Sequence, residues 1–249
     1  MKLYIQAVSD VGVRRSNNED MISVGGIMLR DSSLDFPVEM ESSDESYFYL
    51  LISDGMGGHE DGEKASGYLL ETIRESFASG RVRTETAEED LMDIVRDVSE
   101  SLNLQAAEAG QSKPMGCTLT GVIWTGGRTL LVNAGDSRTY RLRDGFLKQL
   151  TTDETESGIT YDENADKLLL NAIGGGSFGR LVVEDISDRL MDGDMLLVCS
   201  DGLTDMVSDD DIESIMSSEA YPAQKLMEAA NTNGGIDNIS VITVVVENK

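Results

Sequence analysis

Histidine, cysteine and positive charge are all scarce in this sequence. One histidine, His59, and two cysteines, Cys117 and Cys199, stand among 249 residues. That excludes a zinc site of the usual Cys/His kind and a disulfide framework. Both cysteines sit in apolar, strand-like runs, CTLTGVIW and MLLVCSDG, and read as buried reduced thiols. Lys and Arg total 20 against 46 Asp and Glu, a formal net charge of −26. Such a surface repels nucleic acid and anionic lipid, so neither is expected as a partner. No apolar run approaches the ~20 residues of a membrane helix. The opening MKLYIQAVSD lacks the apolar segment of a signal peptide. The default expectation is a soluble cytoplasmic protein, with no membrane association.

What is present is an ordinary globular composition, 40% hydrophobic, in a chain long enough for a sizeable core. Strands are expected at 3–10, 47–53, 117–124, 129–132, 138–142, 146–150, 181–187, 195–200 and 239–247. TGG and RDG punctuate them as hairpin turns. Residues 62–80 place Ala65, Leu69, Leu70, Ile73 and Phe77 at helical spacing, with Gly80 as a stop. Residues 88–110 repeat that signal, Ser208 opens a helix over 208–218 with acids in its first turn, and 221–232 forms another. The polar stretch 31–46 is expected as a surface loop, and 164–173 looks helical before a glycine-rich run. Strands in series with helices in pairs predict an α+β fold of mostly antiparallel sheets covered by helix pairs, forming one domain over 1–249.

The stretch LISDGMGGHEDG, residues 51–62, asks for more than a fold. An apolar run ends in Asp54, and glycines strip the next residues to bare backbone. Asp201-Gly202 ends a second apolar run after the same serine, Asp136 follows LLVNAG, Asp237 precedes the closing strand, and Glu19 and Asp20 follow the first. Each alone is compatible with a common turn, and most acids of the chain serve only to solvate it. Six acids with one local grammar are a different matter. If these strand ends are neighbours, two carboxylates ~4 Å apart repel by about 4 kcal/mol at an effective dielectric near 20. Protonation or a cation must relieve that. Oxygen ligands without His or Cys select Mg²⁺, Mn²⁺ or Ca²⁺, and acids drawn from distant parts of the chain do not make an EF-hand loop. A carboxylate-bridged metal pair activates water against phosphorus. Arg14 and Arg15, just before Glu19 and Asp20, offer a guanidinium for phosphate oxygens.

RSNNED (15–20), DGMGGH (54–59), GDSR (135–138), SDGLTD (200–205) and DNIS (237–240) occur in that order along the chain. Over essentially its whole length the chain therefore resembles the metal-dependent protein phosphatases (PPM, or type 2C) in their bacterial form. The resemblance implies a four-layer α-β-β-α sandwich that hydrolyses phosphoserine and phosphothreonine in proteins without a covalent phosphoenzyme. It implies two core Mn²⁺ or Mg²⁺ ions bridged by Asp54, with the Gly55 carbonyl on one and Asp201 and Asp237 on the other. Glu19 and Asp20 would act on the metals partly through water. Asp136 would pair with Asp201 at a weaker third metal site. Arg15 stands at the family's phosphate-binding position, and Arg14 is the extra, surface arginine. Asp54, Arg15 and His59 are the catalytic candidates, His59 as general acid or as a turn or helix start with no catalytic role. Phosphorylated proteins, among them a cognate serine/threonine kinase, are the partners implied, and a monomer is expected. The chain departs from the family after QLTTD, where His-Ser is usual and a shorter ETESGITY follows. Two other readings remain: a non-catalytic phosphoprotein-binding domain on the same fold, and an acidic cation-binding protein without phosphate chemistry.

Overall fold

Period-two alternation in the strands builds three apolar layers from two sheets. In a computed structural model, residues 1–39, 47–56, 60–112, 114–156, 169–176, 179–219 and 222–247 are described. The first sheet comprises β1 (Lys2–Asp10), β4 (Ser33–Glu39), β10 (Arg138–Arg143), β11 (Phe146–Gln149), β14 (Met195–Cys199) and β15 (Ile239–Glu247), ordered β11-β10-β14-β15-β1-β4. The second comprises β2 (Met21–Val24), β3 (Ile27–Leu29), β5 (Tyr47–Ser53), β8 (Leu119–Thr125), β9 (Arg128–Ala134) and β13 (Val182–Asp185), ordered β13-β9-β8-β5-β2-β3. A small third sheet joins β12 (Ile173–Gly174), β7 (Gly116–Cys117) and β6 (Gly55–Met56).

Leu50 and Ile52 of β5 face between the sheets, with Leu3, Ile5, Val122, Leu196, Val198 and Ile242. Tyr49 and Leu51, one residue out of phase, face outward onto α1 (Glu60–Ala78) and α2 (Ala87–Glu108). That is why 47–53 reads as continuously apolar: the strand is buried on both faces. On the far side, Leu197, Cys199 and Val241 meet α4 (Asp209–Ser218) and α5 (Pro222–Thr232) through Ile212, Met216 and Leu226. Each such fully buried Leu or Ile contributes about 1.5–3 kcal/mol relative to exposure. The expected four layers are therefore present, with every pair of described strands antiparallel.

The expected helix ends are also in place. Ser208 accepts the N–H of Asp211 at 3.3 Å, and Asp209–Asp211 sit at the positive end of α4. After α1, Gly80 takes φ +72°, and the N–H of Arg81 returns to the Ser76 carbonyl.

Two expectations are corrected, and some elements are new. Residues 33–39 are not loop but the edge strand β4, paired with β1 from Val8↔Ser33 to Lys2↔Glu39. Its Pro37 is tolerated because an edge strand has a free side. Residues 40–46 lie outside the described residues. The helical look of 164–173 does not persist where the chain is described: Leu169 bridges Thr155, and Ile173–Gly174 is β12. Finally, the hairpin β2–β3 and the single turn α3 (Asp201–Thr204) are elements the sequence reading did not assign.

Candidate active site

Both sheets present the same end to one place. Chain direction brings the C-terminal end of β5 beside the start of β2, Met21↔Ser53, and the end of β14 beside the start of β15, Cys199↔Val241. The link Gly135-Asp136-Ser137 crosses from β9 in one sheet to β10 in the other. Antiparallel pairing therefore converts distant strand-end acids into neighbours. They line a pocket of about 300 Å³ with Arg15, Glu19, Asp54, Gly55, Asp136, Asp201 and Asp237 in its wall, completed by Met56, Thr118 and Leu169.

Asp20 sits beneath this wall rather than in it. It is fully buried, and its Oδ2 accepts from Ser200 Oγ at 2.8 Å. Arg14 stays outside, exposed, with its backbone N–H on the Gly235 carbonyl. Arg15 pairs with Asp237 at 2.7 Å, and that hydrogen bond, opposed by partial burial, raises the guanidinium pKa. His59 lies outside the described residues.

The acids behave as a crowded group. Removal from water, then the charges of Asp20, Asp201, Asp136 and Asp237, holds Asp54 well above the usual carboxylate range. Burial first, then Asp136 and Asp237, pushes Asp201 to about 7. Burial, partly offset by Ser240 and Ser200, raises Asp20 to about 6. Asp136 is also raised, chiefly by burial. The two cysteines, pushed up to about 12 by burial, are inert thiols as expected.

Several residues that brace this group went unrecognised in the sequence. Thr118 Oγ1 accepts the Asp54 N–H at 3.0 Å and meets Ser137 Oγ at 2.8 Å, so one hydroxyl ties two acid-bearing turns. Asn238 spends its whole amide on the 11–19 loop, accepting from Glu19 N–H and donating to the Val11 and Asn17 carbonyls. The repeated Ser-Asp-Gly was the available signal for two more. Ser53 Oγ donates to the Thr118 carbonyl, and Ser200 Oγ holds Asp20. The glycines of that tripeptide have a packing reason. A Cβ on Gly202 would strike the Asn238 carbonyl, and one on Gly55 would strike the carbonyls of Gly62 and Glu19.

A divalent cation suits these residues. Every charged donor in the wall except Arg15 is a carboxylate, and one oxygen each of Asp201 and Asp20 is buried without a hydrogen-bond partner. Hard oxygen donors of this kind fit Mg²⁺ or Mn²⁺. Among the described residues no three Asp, Glu, His or Cys stand together closely enough to hold an ion by themselves.

A sequence profile of the protein phosphatase 2C family matches residues 38–233. The chain belongs to this family. Serine/threonine protein phosphatase PstP of Mycobacterium tuberculosis is 33% identical over 98% of this chain, which spans 45% of that longer relative. Serine/threonine phosphatase stp of Listeria monocytogenes is 31% identical over 78% of the chain and 83% of its own length. The solved S. agalactiae serine/threonine phosphatase superimposes with a TM-score of 0.80 at 25% identity, covering 98% of this chain and 100% of its own. The PstP catalytic domain in complex with 2 manganese ions does so with a TM-score of 0.76 at 31% identity, covering 99% of this chain and 100% of that one. The four-layer arrangement is thus the fold of solved protein phosphatase 2C members.

Proposed function

We propose that residues 1–249 form one catalytic domain of a metal-dependent protein serine/threonine phosphatase, acting on phosphoserine and phosphothreonine. The observation that carries this reading is a single pocket holding Glu19, Asp54, Asp136, Asp201 and Asp237 around Arg15 and Gly55. The manganese complex of PstP supports the same metal class here. Asp54, the Gly55 carbonyl, Asp201 and Asp237 would together hold two core Mn²⁺ or Mg²⁺ ions. Asp136 and Asp201 would serve a weaker third. When bound, such ions would supply a water of lowered pKa for attack on the phosphoester. Arg15 is placed to grip the phosphate oxygens bidentately and hold the ester still. For that task it must leave Asp237, to which it is paired at 2.7 Å. Thr118 and Asn238 keep the acids in register, so that little reorganisation accompanies reaction. His59 remains the candidate proton donor to the leaving alkoxide. Phosphorylated proteins, including a cognate kinase, are the proposed substrates of a cytoplasmic monomer. Among the described residues no helix is long and apolar enough to cross a membrane.

The test is hydrolysis of a phosphothreonine peptide by purified protein, first with EDTA, then with Mn²⁺ or Mg²⁺, for wild type and Asp201→Asn. Activity that requires metal and falls steeply in the variant is expected. A wild type that binds Mn²⁺ yet turns over no phosphoester would transfer the reading to a non-catalytic phosphoprotein-binding domain.

A further inference from the structure

Where the chain departs from its family, after QLTTD, the structure places a small hydrogen-bonded clasp. The Gly135 N–H donates to Glu154 Oε2 at 2.8 Å, and the Glu154 N–H returns to the Gly135 carbonyl at 3.1 Å. The same Oε2 accepts from Asn171 Nδ2 at 2.6 Å. Asn171 also donates to the Arg180 carbonyl and accepts the Arg180 N–H. The Leu170 N–H donates to the Glu154 carbonyl at 2.8 Å, and Leu169 bridges Thr155. One carboxylate oxygen thus joins two things that matter to the pocket: the turn that carries Asp136, and the 169–171 segment that sets Leu169 in the pocket wall.

We infer that Glu154 and Asn171 are a positioning pair that fixes the Asp136 turn and Leu169 relative to each other, and so sets how a phosphopeptide seats. This inference rests on the phosphatase reading above for its substrate. Neither residue lines the pocket, so neither touches a bound phosphate; both act through what they hold. The Asp136 turn depends on such holding. Gly135 adopts φ +109°, and a Cβ there would collide with Thr118, so the turn requires a glycine, whose backbone is free to leave that conformation unless it is held. Its other supports include Asn133 Nδ2 on the Gly135 carbonyl, Ser137 on Thr118, and Arg138, which grips Asp153 through Nε and Nη2. Asp153 and Glu154 therefore brace the turn from adjacent positions, and only Glu154 carries the load onward to Leu169. A phosphopeptide continues past the phosphate along the wall that Leu169 forms. A small aryl phosphate ends within the pocket and needs that wall less.

The experiment compares Glu154→Ala, Glu154→Gln and Asn171→Ala on a phosphothreonine peptide and on a small aryl phosphate, with amide hydrogen exchange at Gly135 read in parallel. Both hydrogen bonds fall on one oxygen, which an amide carbonyl can replace, so Glu154→Gln should match wild type. Glu154→Ala should raise the peptide KM by about five- to tenfold, the size of one or two lost hydrogen bonds, with a smaller change for the aryl phosphate. It should also speed exchange at Gly135. Asn171→Ala should raise the peptide KM likewise, and the double variant should fall short of the sum of the singles. An unchanged peptide KM in Glu154→Ala, or an equal loss of kcat on both substrates with Glu154→Gln no better, overturns the proposal. If the wild type hydrolyses neither substrate, the phosphatase reading fails. The clasp then stands or falls on whether Gly135 exchange is faster in Glu154→Ala and unchanged in Glu154→Gln.

Discussion

At the scale of single residues, the acids of the pocket set opposite demands on stability and function. Asp20, Asp54 and Asp201 have folded-state pKa values raised above the usual 3.8 of an aspartate, to about 6, well above it, and about 7. The folded metal-free protein therefore binds more protons than the unfolded chain between about pH 4 and about pH 7. These groups favour folding below that window, and the contribution is lost as pH rises through it. Metal-free wild type should thus melt lower at pH 8 than at pH 5. Asp201→Asn should melt above wild type at pH 8, with the gap closing toward pH 5. Added Mn²⁺ should raise the wild-type melting temperature through linkage and raise that of the variant less. Differential scanning fluorimetry at the two pH values, with EDTA or Mn²⁺, checks all three. The same Asp201→Asn change should reduce metal-dependent turnover at least about a hundredfold, since even groups behind a ligand cost 10–100-fold. Arg15 predicts differently. On the role proposed for it, Arg15→Ala should cost a charge-assisted contact to phosphate and raise the phosphopeptide KM about 10- to 100-fold. Isothermal titration should show Mn²⁺ affinity equal or somewhat higher, because Asp237 loses its 2.7 Å competitor. The acids were legible in the sequence because carboxylates abruptly ending apolar runs are conspicuous; of Arg14 and Arg15, only the family resemblance singled out Arg15. Thr118 was not, because a threonine inside CTLTGVIW is indistinguishable from a strand former until its partner Ser137 is in place.

At the scale of elements, glycine separates two kinds of constraint. Gly67 lies within α1, where a Cβ would meet only Met21 Cε at 3.8 Å. Gly67→Ala should stabilise the protein by about 0.5–1 kcal/mol, read by urea unfolding, with activity intact. Gly202 opens into α3 against the Asn238 carbonyl. Gly202→Ala should cost about 1–3 kcal/mol through forced backbone displacement and weaken Mn²⁺ binding, since Asp201 and Asp237 move with it. Strands buried on both faces and amphipathic helices could be read directly, since their periodicities are strong. The edge strand β4 could not be read so easily: Leu34, Phe36 and Val38 pack inward, while Ser33, Asp35 and a proline between them look like loop. The hairpin β2–β3 had its signal in Gly25 and Gly26, both at positive φ, between short apolar pairs. The stretch 164–173, NADKLLLNAI, looks helical in composition, yet Leu169, Leu170 and Ile173 serve a bridge, a clasp and a strand. Local propensity there was outweighed by long-range pairing.

At the scale of the whole molecule, charge and topology dominate. A net charge of −26 should steer basic segments toward the pocket. Phosphopeptides flanked by Lys or Arg should show kcat/KM about tenfold above acid-flanked ones at low salt, and the ratio should shrink toward one by about 0.5 M NaCl as screening shortens to a few ångströms. Equal turnover of both at low salt would refute steering. Topology has a consequence for biosynthesis. β15 lies between β1 and β14, joining β4-β1 to β14-β10-β11. Until residues 239–247 have been made, those two pieces of the first sheet present facing, unpaired edges, and the apolar faces of β1 and β14 lack their shared neighbour. Asp237 arrives only just ahead of the same strand. The nascent chain therefore gains its sheet and its complete set of acids in one late event. Ribosome-bound chains stopped short of Ile239 should be protease-sensitive and unable to retain Mn²⁺.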